Sequence, residues 1–120
     1  MDKGFDLIVT IVNRGFSDLV MDAARAAGAS GGTILHGRGT GVHEAEEFFG
    51  IAIQPEKEIV LILTRTGERH AIMAAIAEGA GLNTQGKGLT FSLPVDEVSG
   101  IVHLLAPKEE KGAAPEEGKD

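Results

Sequence analysis

The pattern of apolar and polar residues predicts four strands and two helices. Phe5 to Val12 is a β-branched run that ends at the turn Asn13 to Gly15, and Glu58 to Thr64 contains five consecutive large aliphatic residues. Runs of this length and composition are typical of strands that are buried on both faces. Shorter runs at Thr33 to His36 and Leu89 to Leu93 predict the two remaining strands.

A helix is predicted after each of the two long strands. The first has Ser17 as its capping residue and ends at Gly28, and the second extends from Thr66 or Gly67 to Ala80. In each helix the apolar residues recur at the spacing of a single face. The residues expected to face inward are Phe16, Leu19, Val20, Ala23 and Ala27 in the first helix, and Ile72, Ala75 and Ile76 in the second.

The two halves of the chain resemble each other. Ile8 to Gly15 aligns with Ile59 to Gly67, and each segment is followed by an alanine-rich helix. A duplicated βαβ unit predicts an α+β, ferredoxin-like βαββαβ sandwich, in which a four-stranded antiparallel sheet carries two helices on one face. Ile101 to Leu105 predicts a short final strand. The second face of the sheet is apolar and uncovered in a monomer, which favours a closed ring of three subunits.

Two polar segments interrupt this pattern and are the candidate functional loops. The longer one, Val42 to Pro55, joins strands two and three and follows alternating glycines at Gly37, Gly39 and Gly41. Glycines at such positions allow a ligand or the backbone of a partner to approach closely. The shorter one, Gly81 to Gly88, precedes the fourth strand.

Length and charge limit the class of protein. With 120 residues and 42% apolar content, the chain supports one ordinary domain, predicted over residues 1–106. Residues 107–120 carry many charges and no large apolar side chain, which predicts a disordered tail. The net charge of -7 argues against nucleic acid as a partner, since phosphate binding needs clustered Lys and Arg.

Cysteine usage and hydropathy bear on location. The chain has no cysteine, which fits a reducing compartment and rules out disulfides and thiolate metal sites. The first residues do not have the pattern of a signal peptide, and no apolar run approaches the length of a membrane span. These features predict a cytoplasmic protein.

The glycine-rich segments resemble a known family. GGTILHGRGTG at Gly31 to Gly41 and GAGLNTQGKGLTFSLPVDEVSGI at Gly79 to Ile101, separated by a long loop, look like the PII (nitrogen-regulatory, GlnB-like) signalling superfamily over residues 5–105. The resemblance implies a homotrimer with a T-loop at Val42 to Pro55 and a B-loop at Leu82 to Gly88. It also implies an effector such as ADP, AMP or ATP, bound in clefts between subunits, and a target enzyme or membrane transporter contacted through the T-loop.

The resemblance assigns roles to individual residues. The ligand-binding residues it implies are Arg38, Gly39, Thr40, Gly41, Asn83, Thr84, Gln85, Gly86, Lys87 and Gly88. The partner-binding residues expected in the T-loop are His43, Glu44, Glu46, Glu47, Phe48 and Phe49. No residue is assigned to catalysis or to a metal.

The chain departs from the family pattern in two respects. It contains no tyrosine, so uridylylation of a T-loop tyrosine is excluded. The position of the family's phosphate-binding lysine falls on Leu89, and the two arginines of its C-terminal loop fall on Gly100 and Val102. Phosphate-binding charge is therefore depleted, although Lys87 and either Arg38 or Arg14 offer compensation. ADP, AMP or another small ligand fits this charge better than ATP.

Other classes of protein are weighed against this interpretation. The sequence has no nucleophile elbow and no helical His-Glu metal motif, so an enzyme finds little support. The acidic residues and histidine of the long loop leave open a divalent-metal-binding trimer like the CutA proteins. A small-ligand module like the ACT domains is the third alternative, although such domains have a short connection between strands two and three.

Overall fold

The computed structural model describes residues 4–40, 46–48, 51–53, 55–84 and 87–100, and within 46–48 and 51–53 only the backbone. The elements, in chain order, are β1 (Phe5–Asn13), α1 (Ser17–Ala26), β2 (Thr33–Arg38), β3 (Glu46–Phe48), β4 (Ile51–Ile53), β5 (Glu56–Arg65), α2 (Thr66–Gly79) and β6 (Gly88–Val95).

Four of the strands form one antiparallel sheet in the order β2-β5-β1-β6. The long strands β1 and β5 pair along their whole length in the centre, from Phe5 opposite Arg65 to Asn13 opposite Lys57. Strands β6 and β2 form the two edges. With α1 and α2 in the crossovers, this topology confirms the predicted ferredoxin-like fold.

One face of the sheet carries the core. On β1 and β5 the even-numbered residues from Asp6 to Val12 and from Glu58 to Thr64 are buried, and they alternate with half-buried odd-numbered residues. The buried set packs against α1 and α2 because strand side chains alternate between the two faces. The core consists of Ile8, Val12, Val20, Met21, Ala24, Val60, Ile62, Ile72, Ile76 and Ala80.

The opposite face of the sheet, here called the open face, is apolar and covered by neither helix. It carries the residues of the other parity, which pair across the strands in rows such as Leu35, Ile59, Ile11 and Leu89. Side chains at the edges are strongly exposed, with Leu89 at 51% and Leu93 at 48%. A face of this kind exceeds the scattered apolar exposure that is normal for monomers.

The two helices end in the same way. Gly28 has φ +112°, and the next amide, that of Ala29, donates to the carbonyl of Ala24 at 2.9 Å. Gly81 has φ +69°, and the amide of Leu82 donates to the carbonyl of Ala77 at 2.8 Å. Both are Schellman endings, in which glycine tolerates the left-handed conformation that satisfies the last carbonyls.

The prediction of the inner face of α1 is wrong, because the buried face is rotated about the helix axis from the predicted one. Leu19, expected inside, is 46% exposed, whereas Met21 and Ala24 are buried beside Val20. The small residues of α1 make several apolar stripes almost equivalent by spacing, so packing against α2 decides between them. In α2 the predicted Ile72 and Ile76 are fully buried.

Two further expectations concern the loop and the C-terminal part of the chain. The segment Val42 to Pro55, predicted as a polar loop, contains the short antiparallel pair of β3 and β4, in which Phe48 lies opposite Ile51. The sequence did not predict this pair, because three paired residues on each side are too few to give a recognisable strand pattern. The predicted strand Ile101 to Leu105 and the tail 107–120 lie outside the described residues.

Candidate functional site

The long loop leaves the sheet and returns to it at neighbouring positions. Arg38, the last residue of β2, pairs with Glu56, the first residue of β5. One residue further out, the amide of Gly39 donates to the carbonyl of Pro55 at 3.2 Å. The chain between these residues therefore begins and ends at a closed base, here called the T-loop base, formed by residues 38–39 and 55–58.

The turn between β1 and α1 is bonded to this base by backbone and side chains. The amide of Arg14 donates to the carbonyl of Glu56 at 3.2 Å, and its guanidinium lies 2.9 Å from the carboxylate of the same residue. Next to this pair, Lys57 Nζ donates to Asn13 Oδ1 at 2.7 Å. The turn and the start of β5 are thus fastened at several points.

Glu58 is a buried carboxylate that completes this attachment. The first amide of α1, on Ser17, donates to Glu58 Oε1 at 3.0 Å. The pKa of Glu58 is lowered, first by the hydrogen bond from the Ser17 hydroxyl and then by the amides of Ser17 and Gly15 and by His36, while burial opposes the shift. A carboxylate at this position satisfies unpaired amides and interacts favourably with the helix dipole.

This geometry corrects the predicted cap of α1. Ser17 was expected to cap the helix with its own side chain, but the cap residue is Phe16 and it makes no side-chain capping hydrogen bond. The capping acceptor is Glu58, which is 41 residues away in sequence. Ser17 is buried and supplies donors to that acceptor.

The B-loop lies at the same end of the sheet as the T-loop base. Its turns are closed by the amide of Thr84 on the carbonyl of Gly81, 3.0 Å, and by the amide of Lys87 on the carbonyl of Thr84, 3.3 Å. The Lys87 ammonium lies 5.4 Å from the centre of the Phe16 ring, a cation–π distance. Gly88 has φ +134°, and a side chain there would overlap the Ile11 carbonyl, so glycine is required.

The predicted ligand residues form two groups at opposite edges of one subunit. Arg38, Gly39 and Thr40 follow β2, whereas Asn83, Thr84, Lys87 and Gly88 precede or begin β6. Strands β2 and β6 are separated by three strand spacings, about 14 Å at about 4.8 Å each. The structure does not bring the two groups together within one chain. Gly41, Gln85 and Gly86 lie outside the described residues.

The predicted partner residues all lie in sequence between the two sides of the T-loop base. Glu46, Glu47 and Phe48 form β3, of which the backbone is described. His43, Glu44 and Phe49 lie outside the described residues. Among residues whose side chains are described, no cluster of three or more His, Asp or Glu side chains is arranged to hold a metal ion.

The candidate cations differ in their surroundings. Arg14 is occupied by Glu56, although both side chains are mostly exposed and the pair contributes little to stability. Lys87 rests on Phe16, and Arg38 is exposed at the end of β2. Lys87 and Arg38 therefore remain the accessible positive charges at the two loops.

Sequence reasoning missed the residues that connect the loops. Asn13, Phe16, Glu56, Lys57 and Glu58 carry these contacts, and none of them was assigned a role at the site. One signal was available for Glu58, since it shares the parity of Val60 and Ile62 and therefore falls on the core face of β5. A carboxylate at a core position needs a hydrogen-bond partner.

Comparisons with known proteins agree with this architecture. The family model for nitrogen regulatory protein P-II matches residues 5–103. The crystal structure of Arabidopsis thaliana PII bound to citrate matches with a TM-score of 0.67 and 24% sequence identity, over 90% of this chain and 92% of that chain. No curated protein matches the sequence significantly.

The topology and the two loops at one end of the sheet define a PII-type ferredoxin-like signalling domain. Because the family model covers most of its length, the chain belongs to the nitrogen regulatory protein P-II family. Proteins of this family are regulators and not enzymes. In the described part of the chain, neither helix is long and apolar enough to cross a membrane.

We expect Glu58→Gln to destabilise the protein by about 1 to 2 kcal/mol, because it replaces a charged helix-capping acceptor by a neutral one. Glu56→Gln, two residues earlier on the same strand, is the matched control and should cost less than about 0.5 kcal/mol, since its pair is exposed. Urea unfolding at pH 7 measures both. Equal losses in the two variants would contradict the role assigned to Glu58.

The stability loss caused by Glu58→Gln has a defined pH dependence. The folded pKa of Glu58 lies below its ordinary value of 4.5, so the native state favours the ionised form. Its stabilising contribution is therefore complete above about pH 4.5 and is lost as the pH falls through the lowered pKa. The stability difference between wild type and Glu58→Gln should shrink over that acidic interval. A stability difference that grows on acidification would contradict the lowered pKa of Glu58.

Proposed function

We propose that this protein is a PII-type regulator that binds a small anionic effector, an adenine nucleotide, in clefts between subunits and controls a partner protein through its T-loop. One observation carries the proposal. The T-loop base and the B-loop lie at the same end of the sheet but at its opposite edges. In a ring of subunits, the β2 edge of one chain and the β6 edge of its neighbour would meet and form a cleft.

The charge of the cleft favours a lightly charged nucleotide. Arg38 would come from one side and Lys87 from the other, and Gly39 leaves open space, since a side chain there would meet nothing within 4 Å. Two cations can neutralise a monophosphate or diphosphate better than a triphosphate. ADP or AMP is therefore the proposed effector, ahead of ATP.

The open face supports a trimer. A closed assembly would bury the apolar rows of this face in every subunit equally. Arg65, at the end of the face, has buried Nε and Nη2 atoms without a hydrogen-bond partner among the described residues. Unsatisfied buried donors cost about 1 to 3 kcal/mol. A neighbouring subunit would supply both the apolar cover and the missing acceptor.

Control of a partner is assigned to residues 40–54, the proposed T-loop. The T-loop base is closed by the Gly39 to Pro55 hydrogen bond, so a change within the loop need not disturb the sheet. An effector shifts such a loop only through different affinities for its states, with typical coupling of about 1 to 3 kcal/mol. Membership in the P-II family favours this function over the CutA-like and ACT-like alternatives.

The ligand test uses a glycine where added bulk costs the fold little. Gly39→Leu should leave the melting temperature unchanged, because the position faces open space, but should weaken ADP binding at least about tenfold by filling the cleft. Isothermal titration with ADP, AMP and ATP measures the affinities, and light scattering checks the assembly. Unchanged affinity would place the cleft elsewhere, and binding of none of the three nucleotides would reject the proposed effector.

The assembly test uses the centre of the open face. Leu61, which lies opposite Val9 and Thr33, is replaced by Glu. The wild type should scatter light as a trimer of about three times 12.5 kDa, and Leu61→Glu should dissociate it, because a charge cannot be buried there unpaired. Asp18→Lys, on an exposed position of α1, is the control and should stay trimeric. A monomeric wild type would contradict the assembly.

The output test removes part of the loop. Deletion of residues 44–50 should leave the T-loop base, the fold and the trimer intact, change ADP affinity by no more than the coupling energy above, and abolish partner binding. Pull-downs from native lysate with the full-length and shortened chains are compared. Recovery of the same partner by both chains would show that another surface carries the output.

A further inference from the structure

The contact between Lys87 and Phe16 joins the B-loop to the β1–α1 turn. The ammonium of Lys87 is exposed to solvent, yet it lies 5.4 Å from the ring centre of Phe16. The ring itself is half-buried and packs against the core. Cation–π contacts at exposed sites are weak, so an anion that binds the ammonium more strongly can draw it away from the ring.

The same turn is attached to the T-loop base. The amide of Phe16 donates to the carbonyl of Asn13 at 3.1 Å, and the side chain of Asn13 accepts from Lys57 at 2.7 Å. Arg14, between them, bonds to Glu56 through both its backbone and its side chain. The four residues Asn13 to Phe16 thus connect Lys87 of the B-loop to strand β5, which begins where the T-loop ends.

We propose that the Phe16 ring is a resting site for the Lys87 ammonium that competes with a phosphate-bearing effector, and that the turn Asn13 to Phe16 transmits the release of Lys87 to the T-loop base of the same subunit. The inference rests on the proposed function, because it assumes that Lys87 contacts the effector. It adds a residue, Phe16, that acts on effector affinity without touching the effector. Phe16 is a positioning residue in this scheme.

The competition predicts opposite effects of two substitutions at one position. Phe16→Leu keeps an apolar side chain but removes the aromatic face, so Lys87 is released and affinity for inorganic tripolyphosphate should rise about two- to fivefold. Phe16→Trp offers a better aromatic face and should lower that affinity. A purely structural role would weaken binding in both variants. Lys87→Met should weaken binding strongly whichever residue occupies position 16.

The resting contact can be tested without any ligand. The chain contains no Trp and no Tyr, so Phe16→Trp introduces a single fluorescent indole next to Lys87. Adding Lys87→Met to this variant should change the emission intensity or wavelength, and tripolyphosphate should produce a change of the same sign in the variant that retains Lys87. Identical emission with and without Lys87 would overturn the contact, independently of whether any nucleotide binds.

Transmission is tested by amide hydrogen exchange. The Arg14 amide, bonded to Glu56, and the Gly39 amide, bonded to Pro55, report on the T-loop base. Saturating tripolyphosphate should speed exchange of both in the wild type and change neither in Phe16→Leu, in which Lys87 is already released. The Ala80 amide, bonded to Ile76 at the end of α2, is the internal control and should not respond.

The outcomes separate the two proposals. Exchange that responds equally in wild type and Phe16→Leu would overturn the role of the turn while leaving effector binding intact. If neither tripolyphosphate nor ADP binds the wild type, the proposed function and the competition both fail, and the fluorescence comparison still decides whether Lys87 rests on the ring.

Discussion

Glu58 is the buried carboxylate to which strand β5, the β1–α1 turn and the first turn of α1 are all attached. Its oxygens accept from the Ser17 hydroxyl and from the amides of Ser17 and Gly15, groups that would otherwise lose their hydrogen bonds on burial. The carboxylate therefore fixes where α1 begins relative to the sheet. Because Glu58 is only three residues from Pro55, the same contact also fixes where the T-loop returns. Fold and candidate site depend on one interaction.

The two faces of the sheet serve different purposes because side chains alternate along each strand. One parity of β1 and β5 packs against the helices and completes the core of the single chain. The other parity forms the open face, whose exposed leucines and unsatisfied Arg65 require cover that the described part of the chain does not supply. Apolar residues at both parities of the central strands are thus the pattern expected of a subunit, whose second face the proposed assembly would bury.

The sequence was sufficient for features that arise from local chemistry. Strand positions followed from β-branched runs, and the end of α1 followed from Gly28, since glycine accepts the left-handed conformation of a Schellman ending. Features that depend on tertiary contacts were missed. Leu19 was assigned inside because an alanine-rich helix has nearly equivalent stripes, and Glu58 was not recognised as the cap of α1 because its partner is 41 residues away. The contact between Phe16 and Lys87 was missed for the same reason.

In the proposed trimer, the separation of the two loops would link effector binding to assembly. Arg38 and Lys87 belong to opposite edges of one sheet, so neither edge alone offers the charge that a phosphate needs. If the proposed cleft is completed by two subunits, it can bind the effector only in the assembled state, and mass action then requires that the effector stabilise the assembly. Within each subunit, the turn from Asn13 to Phe16 contacts both Lys57 at the T-loop base and Lys87 in the B-loop. In the proposed assembly, each T-loop base would be connected to the cleft at its own edge and, through the turn, to the cleft at the opposite edge.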